Sequence, residues 1–270
     1  MASDGRATTA SLGAVYGLGG GRVYVFAVSA FSSAGEGDRS ALARVSTAPA
    51  VSASLRSVHQ TTSSVTLSWD APSAGGGAAV TGYHVHRDDG TVGSALATLG
   101  YDGSKSNATS GVVSGLQGGR LYSFVVSALS ASGVSNRSAV LTQSTSSPAV
   151  EGVHSVHQST TSVTLSWSAA NVTTGSAVTS YVVYRSNGTA ASAVTTVAYN
   201  GSAASATLSG LTGGHAYTFA VSALSGAGEG DRSEELVQST SPGVPAAPRS
   251  TVQTASAIVL SWSAPAMGGG

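Results

Sequence analysis

Apolar and polar residues alternate in short runs along the chain, with a period of two residues. In the run SVTLSW, Val65, Leu67 and Trp69 alternate with Ser and Thr, and the run YSFVVSA places Tyr122 and Phe124 on one side. Alternate side chains of an extended strand point to opposite faces, so this period predicts strands that are buried on one face. No stretch shows sustained helical spacing, and Gly, Pro, Ser and Asn clusters interrupt the runs. Short strands with frequent turn signals predict antiparallel sheets packed as a sandwich or a barrel.

Two blocks of this pattern occur three times, which indicates tandem repeats. The first block ends in a tryptophan, and Trp69, Trp167 and Trp262 are 98 and 95 residues apart. The second block begins with a leucine, passes through a glycine-rich stretch and enters an aromatic run, and it recurs at the same two intervals. Its copies begin at Leu18, Leu116 and Leu211. One repeat is therefore about a hundred residues long, the size of a small sandwich domain.

The two blocks predict two complete domains and two partial ones. Residues 51–147 and 149–243 contain both blocks, whereas residues 1–48 contain only the second and residues 247–270 only the first. We expect the first partial domain to hold C-terminal strands only, and the last to hold strands A and B only. The chain is then expected to be a segment of a longer array, and strand exchange between the halves of neighbouring copies is a further hypothesis. The short segments between the domains contain proline, which favours semi-rigid joints and an extended rod.

The ordered Trp, Tyr and Leu positions resemble those of the fibronectin type III family. That family has a Trp on strand B, a Tyr opening strand C, a Leu before the corner between strands E and F, and a Tyr on strand F. The resemblance implies an all-β fold of tandem immunoglobulin-like sandwiches, in which these residues form the core and the strand-F tyrosine bonds back to the backbone. The corner carries Gly-Gly where the family usually has Pro, which weakens the expectation of a rigid corner. The matching residues are Leu18, Tyr24, Trp69, Tyr83, Leu116, Tyr122, Trp167, Tyr181, Leu211, Tyr217 and Trp262.

The charge content excludes several classes of partner. Only 9% of residues are charged and the net charge is zero, against roughly 25% charged residues in ordinary domains. Binding to nucleic acid is not expected, because contacts with phosphates need a surplus of Lys and Arg. The chain has no cysteine, so disulfides and cysteine-ligated zinc are excluded. No apolar run approaches the roughly 18 residues that a membrane span requires.

Every asparagine of the chain lies in an N-x-Ser/Thr pattern, the acceptor for N-linked glycans. The competing interpretation is that the pattern follows from a chain rich in Ser and Thr whose asparagines occupy turns. Attached sugars would solvate a surface that carries little charge. We therefore expect covalent glycans, and no cofactor, at Asn107, Asn136, Asn171, Asn187 and Asn200.

The remaining candidate sites favour structural interpretations. The sequence GEGDRS occurs twice and offers Glu229 and Asp231, or Glu36 and Asp38, as Ca²⁺ ligands, but two acids are too few for a cage. A polar loop between strands F and G is therefore favoured.

The paired histidines and paired acids do not indicate a metal site or a catalytic site either. His84 and His86 face one side of a predicted strand, as half of a metal site would require, but no third ligand is evident and a surface position is favoured. Asp88 and Asp89 are adjacent and would point to opposite faces, which makes them poor acid–base partners. No motif of a catalytic or metal site is present.

The sequence thus predicts a non-enzymatic structural segment of an extracellular, glycosylated rod, filament or cell-surface coat. The expected partners are other copies of the chain or neighbouring repeats, with surface proteins or glycans as further possibilities. Two alternatives remain open. One is an adhesive module that presents its B–C and F–G loops to a ligand, and the other is a spacer array of a secreted carbohydrate-active enzyme.

Overall fold

The computed structural model of the chain describes residues 12–73, 75–187 and 193–265. Within these ranges the regular elements are all β-strands, numbered β1 to β22, so the predicted all-β fold is confirmed. The described residues accordingly offer no helix with the length and apolarity that crossing a membrane requires. The chain divides into two compact units. Unit 1 takes the described parts of Met1–His59, Ser64–Gly115 and Tyr122–Gln143, and unit 2 those of Gln60–Ser63, Leu116–Leu121 and Ser144–Gly270.

Most of the strands in unit 1 form two sheets of antiparallel strands. The smaller sheet has the order β5-β6-β9, and the larger has the order β11-β10-β7-β8 with β12 also paired to β10. Two short ladders, β1 with β4 and β2 with β3, precede these sheets. The bounds are β1 Val23–Phe26, β2 Phe31–Ser32, β3 Gly35–Glu36, β4 Ala43–Ser46, β5 Ala53–Gln60, β6 Ser64–Asp70, β7 Val80–Arg87, β8 Thr98–Gly103, β9 Ser110–Ser114, β10 Leu121–Ser130, β11 Gly133–Val134 and β12 Leu141–Ser144.

Unit 2 repeats the same topology. Its sheets have the orders β13-β14-β17 and β16-β15-β18-β19, with β20 paired to β18, and a hairpin of β21 and β22 follows. The bounds are β13 His154–Gln158, β14 Ser162–Ser166, β15 Val178–Arg185, β16 Thr196–Gly201, β17 Ser205–Ser209, β18 Ala216–Ser225, β19 Gly228–Glu229, β20 Leu236–Ser239, β21 Ala246–Gln253 and β22 Ile258–Ser263.

The inward side chains of both sheets in unit 2 meet in one core, as the alternation predicts. The indole of Trp167 lies against Tyr181 and Tyr199, with ring centroids 5.5 and 6.3 Å apart. The buried members of this core are Val150, Val163, Leu165, Trp167, Tyr181, Val183, Ala206, Leu208, Leu211, Tyr217, Phe219, Val221 and Ala223.

The alternation does not predict that the central strands are also covered on their outer face. In unit 2, Val182, Tyr184 and Ala220 form a second buried cluster with Val194, which lies between β15 and β16. Val194 comes from outside the sheet, so its contribution could not be seen in the period of any strand. The central strands of the larger sheet are therefore enclosed on both faces.

Three residues that the family resemblance predicts to be in the core are exposed or only half-buried in the structure. Trp262 is 60% exposed and Leu18 is 36% exposed, and Tyr24 is only half-buried. Trp262 belongs to the two-stranded ladder of β21 and β22, and Tyr24 to that of β1 and β4. A two-stranded ladder cannot enclose a core without a second layer, and within the described residues no second sheet joins either of them.

Candidate functional site

The glycine-rich corners that precede the aromatic strands are held by the tyrosines that follow them. The hydroxyl of Tyr24 accepts a hydrogen bond from the N–H of Gly19 at 2.7 Å. The hydroxyl of Tyr217 accepts one from the N–H of Thr212 at 2.9 Å. The predicted bond back to the backbone is therefore confirmed for Tyr24 and Tyr217.

A threonine after the last strand of each repeat binds the corner from the other side. Thr145 Oγ1 donates to the carbonyl of Gln117 at 2.7 Å and accepts from the N–H of Arg120 at 3.1 Å. The N–H of Thr145 also donates to the carbonyl of Arg120, at 3.0 Å. We call this set of three bonds the threonine clasp. It occurs again at Thr47 and Thr240.

The threonine clasp is not evident from the sequence, because its threonines lie at the ends of the domains, next to proline-containing segments. A Ser-Thr pair does recur at 46–47, 144–145 and 239–240, at the intervals of the other blocks. The segment Ser144–Ser147 is almost fully buried, with exposed fractions of 1 to 4%. Ser146 accepts from the N–H of Gly119 at 2.8 Å and donates through Oγ to the carbonyl of Ala227 at 3.0 Å. The segment is thus part of the folded structure, which its composition did not suggest.

The carbonyl of each of the first two corners accepts a hydrogen bond from a glycine of the loop that follows the next tryptophan. In unit 1 the N–H of Gly77 donates to the carbonyl of Gly21 at 2.8 Å. In unit 2 the N–H of Gly175 donates to the carbonyl of Gly119 at 3.0 Å. The two pairs occupy equivalent positions, 98 residues apart. We call each pair a glycine joint, and its occurrence in both units indicates a feature of the repeat.

The same loops make further contacts around the joint of unit 2. The N–H of Leu121 donates to Thr174 Oγ1 at 3.3 Å, and Thr62 Oγ1 donates to Asp231 Oδ2 at 2.5 Å. Ala227, in the loop between β18 and β19, is 3% exposed. The B–C and F–G loops of this repeat are therefore engaged by the chain itself.

Both glutamates of the GEGDRS loops accept hydrogen bonds from protein donors. Glu229 Oε1 accepts from the hydroxyl of Tyr184 at 2.7 Å and from that of Ser222 at 2.5 Å. The bond to Glu229 is the main reason that the pKa of Tyr184 is raised. The guanidinium of Arg232 lies 3.7 Å from the centre of the Tyr184 ring. In unit 1, Glu36 likewise accepts from a serine, Ser29.

His84, the first of the two paired histidines, lies beside an acid. His84 Nε2 is 3.3 Å from Asp102 Oδ1, and the rings of His84 and His86 are 6.1 Å apart. The pKa of His86 is lowered, first by burial and then by the positive charges of Arg137 and His84. Among the residues that the structure describes, no three His, Cys, Asp or Glu side chains are grouped so that they could hold a metal ion.

The adjacent acids Asp88 and Asp89 serve the local backbone. Asp88 is 6% exposed and accepts from the N–H groups of Gly90 and Ser123, at 3.1 and 3.0 Å. Ser186 replaces it in the next repeat and accepts from the N–H of Thr218 through its hydroxyl. A carboxylate and a hydroxyl thus fill the same structural role, so the role at this position is to accept a backbone bond.

We expect the carboxyl of Asp89 to titrate near pH 2. Hydrogen bonds from Ser94 and then from Thr91 lower its pKa from the usual value to about 2. Because the folded pKa lies below the unfolded value, the contribution to stability is present above about pH 4 and is lost as the pH falls through the folded pKa. The pH dependence of the carboxyl carbon shift, measured by NMR, tests this. Ser94→Ala is expected to raise the midpoint, and an unchanged midpoint would contradict the assignment.

The five acceptor asparagines are all solvent-exposed. Asn200 lies on β16, and the others lie in loops. Asn171 lies in the loop that carries Gly175, and Asn136 is the equivalent of Asp231 in the preceding repeat. Exposure at these positions is what the attachment of a bulky glycan requires.

Comparison with known proteins gives a consistent assignment. The profile of the fibronectin type III domain matches residues 48–144 and 148–239. Chitinase A1 of Niallia circulans is 36% identical over 148 residues, which is 51% of this chain and 19% of that protein. The chain thus spans about a fifth of the length of this curated relative.

Solved structures similar to the chain contain tandem domains of the same type. A two fibronectin type III domain segment from chicken tenascin is similar over 70% of this chain and 99% of that chain, with 19% identity and a TM-score of 0.36. The chicken CNTN1 FN1–FN3 domains cover 81% of this chain over 75% of their own length, with 18% identity and a TM-score of 0.40.

Proposed function

Since the chain belongs to the fibronectin type III family, we propose that it is a non-enzymatic structural segment of an extracellular rod, filament or cell-surface coat. Its role is to hold successive domains at a constant spacing. Domains of this architecture fold around their own cores, and the joints between them decide whether a tandem array is stiff or flexible.

The observation that carries this proposal is the glycine joint. The same backbone hydrogen bond forms at Gly21 and at Gly119. A joint built from backbone groups at short range leaves less freedom than a linker of exposed residues. The buried segment Ser144–Ser147 supports the same conclusion, because these four residues are packed into the fold and not exposed as linker residues would be.

The joint also weighs against the adhesive alternative. A ligand-binding module needs free loops with large anchoring side chains. In unit 2 the B–C loop donates through Gly175, and the F–G loop accepts through Asp231. These loops are small and occupied, so we favour a structural role over ligand binding.

We further propose that N-linked glycans at the five exposed asparagines solvate the surface. In native material, peptide mapping by mass spectrometry is expected to find glycopeptides at Asn107, Asn136, Asn171, Asn187 and Asn200. Bare asparagines at all five, in material whose other secreted proteins carry glycans, would contradict this part of the proposal.

A second candidate function is a spacer within a secreted carbohydrate-active enzyme. The similarity to Chitinase A1 favours it, since the match covers a small part of a much longer protein with that name. In this case the joints would hold a catalytic domain at a distance from another domain. The proposed spacing role of this segment is the same in both candidates.

Electron microscopy of native material, combined with the full reading frame, tests the choice between the two. Further repeats on both sides and regular fibres support the rod, filament or coat. A glycoside-cleaving domain in the same frame, with dispersed particles, supports the spacer and overturns the rod.

A further inference from the structure

The glycine joint depends on a hydrogen atom where other residues carry Cβ. A Cβ built on Gly175 would lie 2.6 Å from both the carbonyl carbon and the oxygen of Gly119. A Cβ on Gly77 would lie at the same 2.6 Å from the carbonyl of Gly21. Real Cβ atoms do not approach backbone this closely, so any other residue would force the two backbones apart.

The requirement for glycine comes from this contact and not from backbone conformation. Gly77 and Gly175 are absent from the glycines that adopt a positive φ, so an L-residue could adopt their backbone geometry. Their partners differ in this respect, because Gly21 and Gly119 both have a φ of +67°. Glycine is thus required in the loop because of the backbone that it touches, and glycine is favoured at the corner because of its own positive φ.

The threonine clasp fixes the direction of the carbonyl that accepts the bond. Thr145 is 1% exposed and binds the residues on either side of the corner glycines, Gln117 and Arg120. These bonds fix the residues on both sides of the corner, so the carbonyl of Gly119 is oriented to accept a hydrogen bond. Thr47 holds the corner of Gly21 in the same way.

We infer that each corner with its threonine clasp is a docking site for a glycine-bearing B–C loop of the following repeat. Gly77 and Gly175 are its specificity-determining residues, and Thr145 is a positioning residue. The partner is therefore a fibronectin type III repeat with glycine at this position of its B–C loop. The inference deepens the proposed spacing function and rests on it. In the sequence, Gly214 continues the series of corner glycines at the interval of 95 residues.

The first test is Gly175→Ala in the full chain, followed by hydrogen exchange of the Leu121 amide. That amide bonds to Thr174 Oγ1, beside the joint. Loss of the joint is expected to speed its exchange about tenfold, the effect of one lost hydrogen bond. Exchange in β15 and β18 should stay unchanged, which shows that the repeat itself is folded.

Gly226→Ala is the matched control for this substitution. Gly226 lies in the same repeat, has no positive φ, and would place its Cβ no closer than 3.6 Å to another atom. In the Gly226→Ala variant, the exchange rate of the Leu121 amide is expected to stay within about twofold of its rate in the unmodified chain. Equal rates for Gly175→Ala, Gly226→Ala and the unmodified chain would overturn the docking site.

The second test separates the positioning role of Thr145 from simple packing. Thr145→Val keeps the volume but removes the hydroxyl, and it is expected to speed exchange at Leu121 about tenfold while Gly175 is intact. Thr145→Ser keeps the hydroxyl and should restore slow exchange. If Thr145→Val speeds exchange throughout the repeat, or if the serine variant fails to restore it, the positioning role is wrong.

These outcomes are distinguishable from a failure of the proposed function. If Gly175→Ala loosens the joint and the reading frame contains a catalytic domain, the rod fails and the docking site stands. If native fibres are found and Gly175→Ala changes nothing at Leu121, the docking site fails and the structural role stands.

Discussion

Trp167→Ala is expected to destabilise its repeat by about 3–5 kcal/mol, the range for removing a large aromatic side chain from a core. Trp167 is 5% exposed and packs against Tyr181 and Tyr199. Its Nε1 has no hydrogen-bond partner in the structure, so the loss comes from apolar packing. Because a tandem protein need not unfold in one step, the measurement is native-state hydrogen exchange of the amides in β14 and β18.

Trp262→Ala is the matched control, since it removes the same side chain from the equivalent sequence position. Trp262 is 60% exposed, so the stability of β14 and β18 should change by no more than about 0.5 kcal/mol. If both variants destabilise these strands equally, the distinction between a core tryptophan and an exposed one is wrong.

The strands could be predicted from sequence because their period is a local property. β6 buries Val65, Leu67 and Trp69 to within 1% of full burial, as the alternation indicates. The bonds of Tyr24 and Tyr217 follow from the resemblance to the fibronectin type III family, and they join residues that are five positions apart. The period of the strands, in contrast, is fully visible in one sequence.

The joint could not be predicted, because it pairs segments that are far apart along the chain. The partners Gly119 and Gly175 each look like an ordinary turn glycine in the sequence. Only the folded chain shows that Gly175 must be glycine because of a close contact, whereas Gly119 has a positive φ that favours glycine. Thr145 was hidden for a related reason, because a buried Ser-Thr segment has the same composition as an exposed linker.

The exposure of each corner tyrosine decides how much its hydrogen bond to the backbone contributes to the free energy of unfolding. A hydroxyl that is shielded from water cannot be replaced by a water molecule when it is removed, whereas an exposed one can. Tyr217 is 3% exposed, while Tyr24 is only half-buried. The same hydrogen bond to the backbone is therefore expected to contribute more in the enclosed sandwich of unit 2 than in the open ladder of β1 and β4.

Tyr217→Phe is accordingly expected to cost about 1–2 kcal/mol, because the N–H of Thr212 loses its acceptor at 2.9 Å while the ring packing is kept. Tyr24→Phe removes the equivalent bond to Gly19 where water has access, so its effect should be smaller. Tyr16→Phe, at a residue that is 82% exposed, should have no effect. Hydrogen exchange in β18 and in β1 measures the two corners separately. An equal cost for Tyr217→Phe and Tyr24→Phe would show that shielding from water does not set the strength of the corner bond.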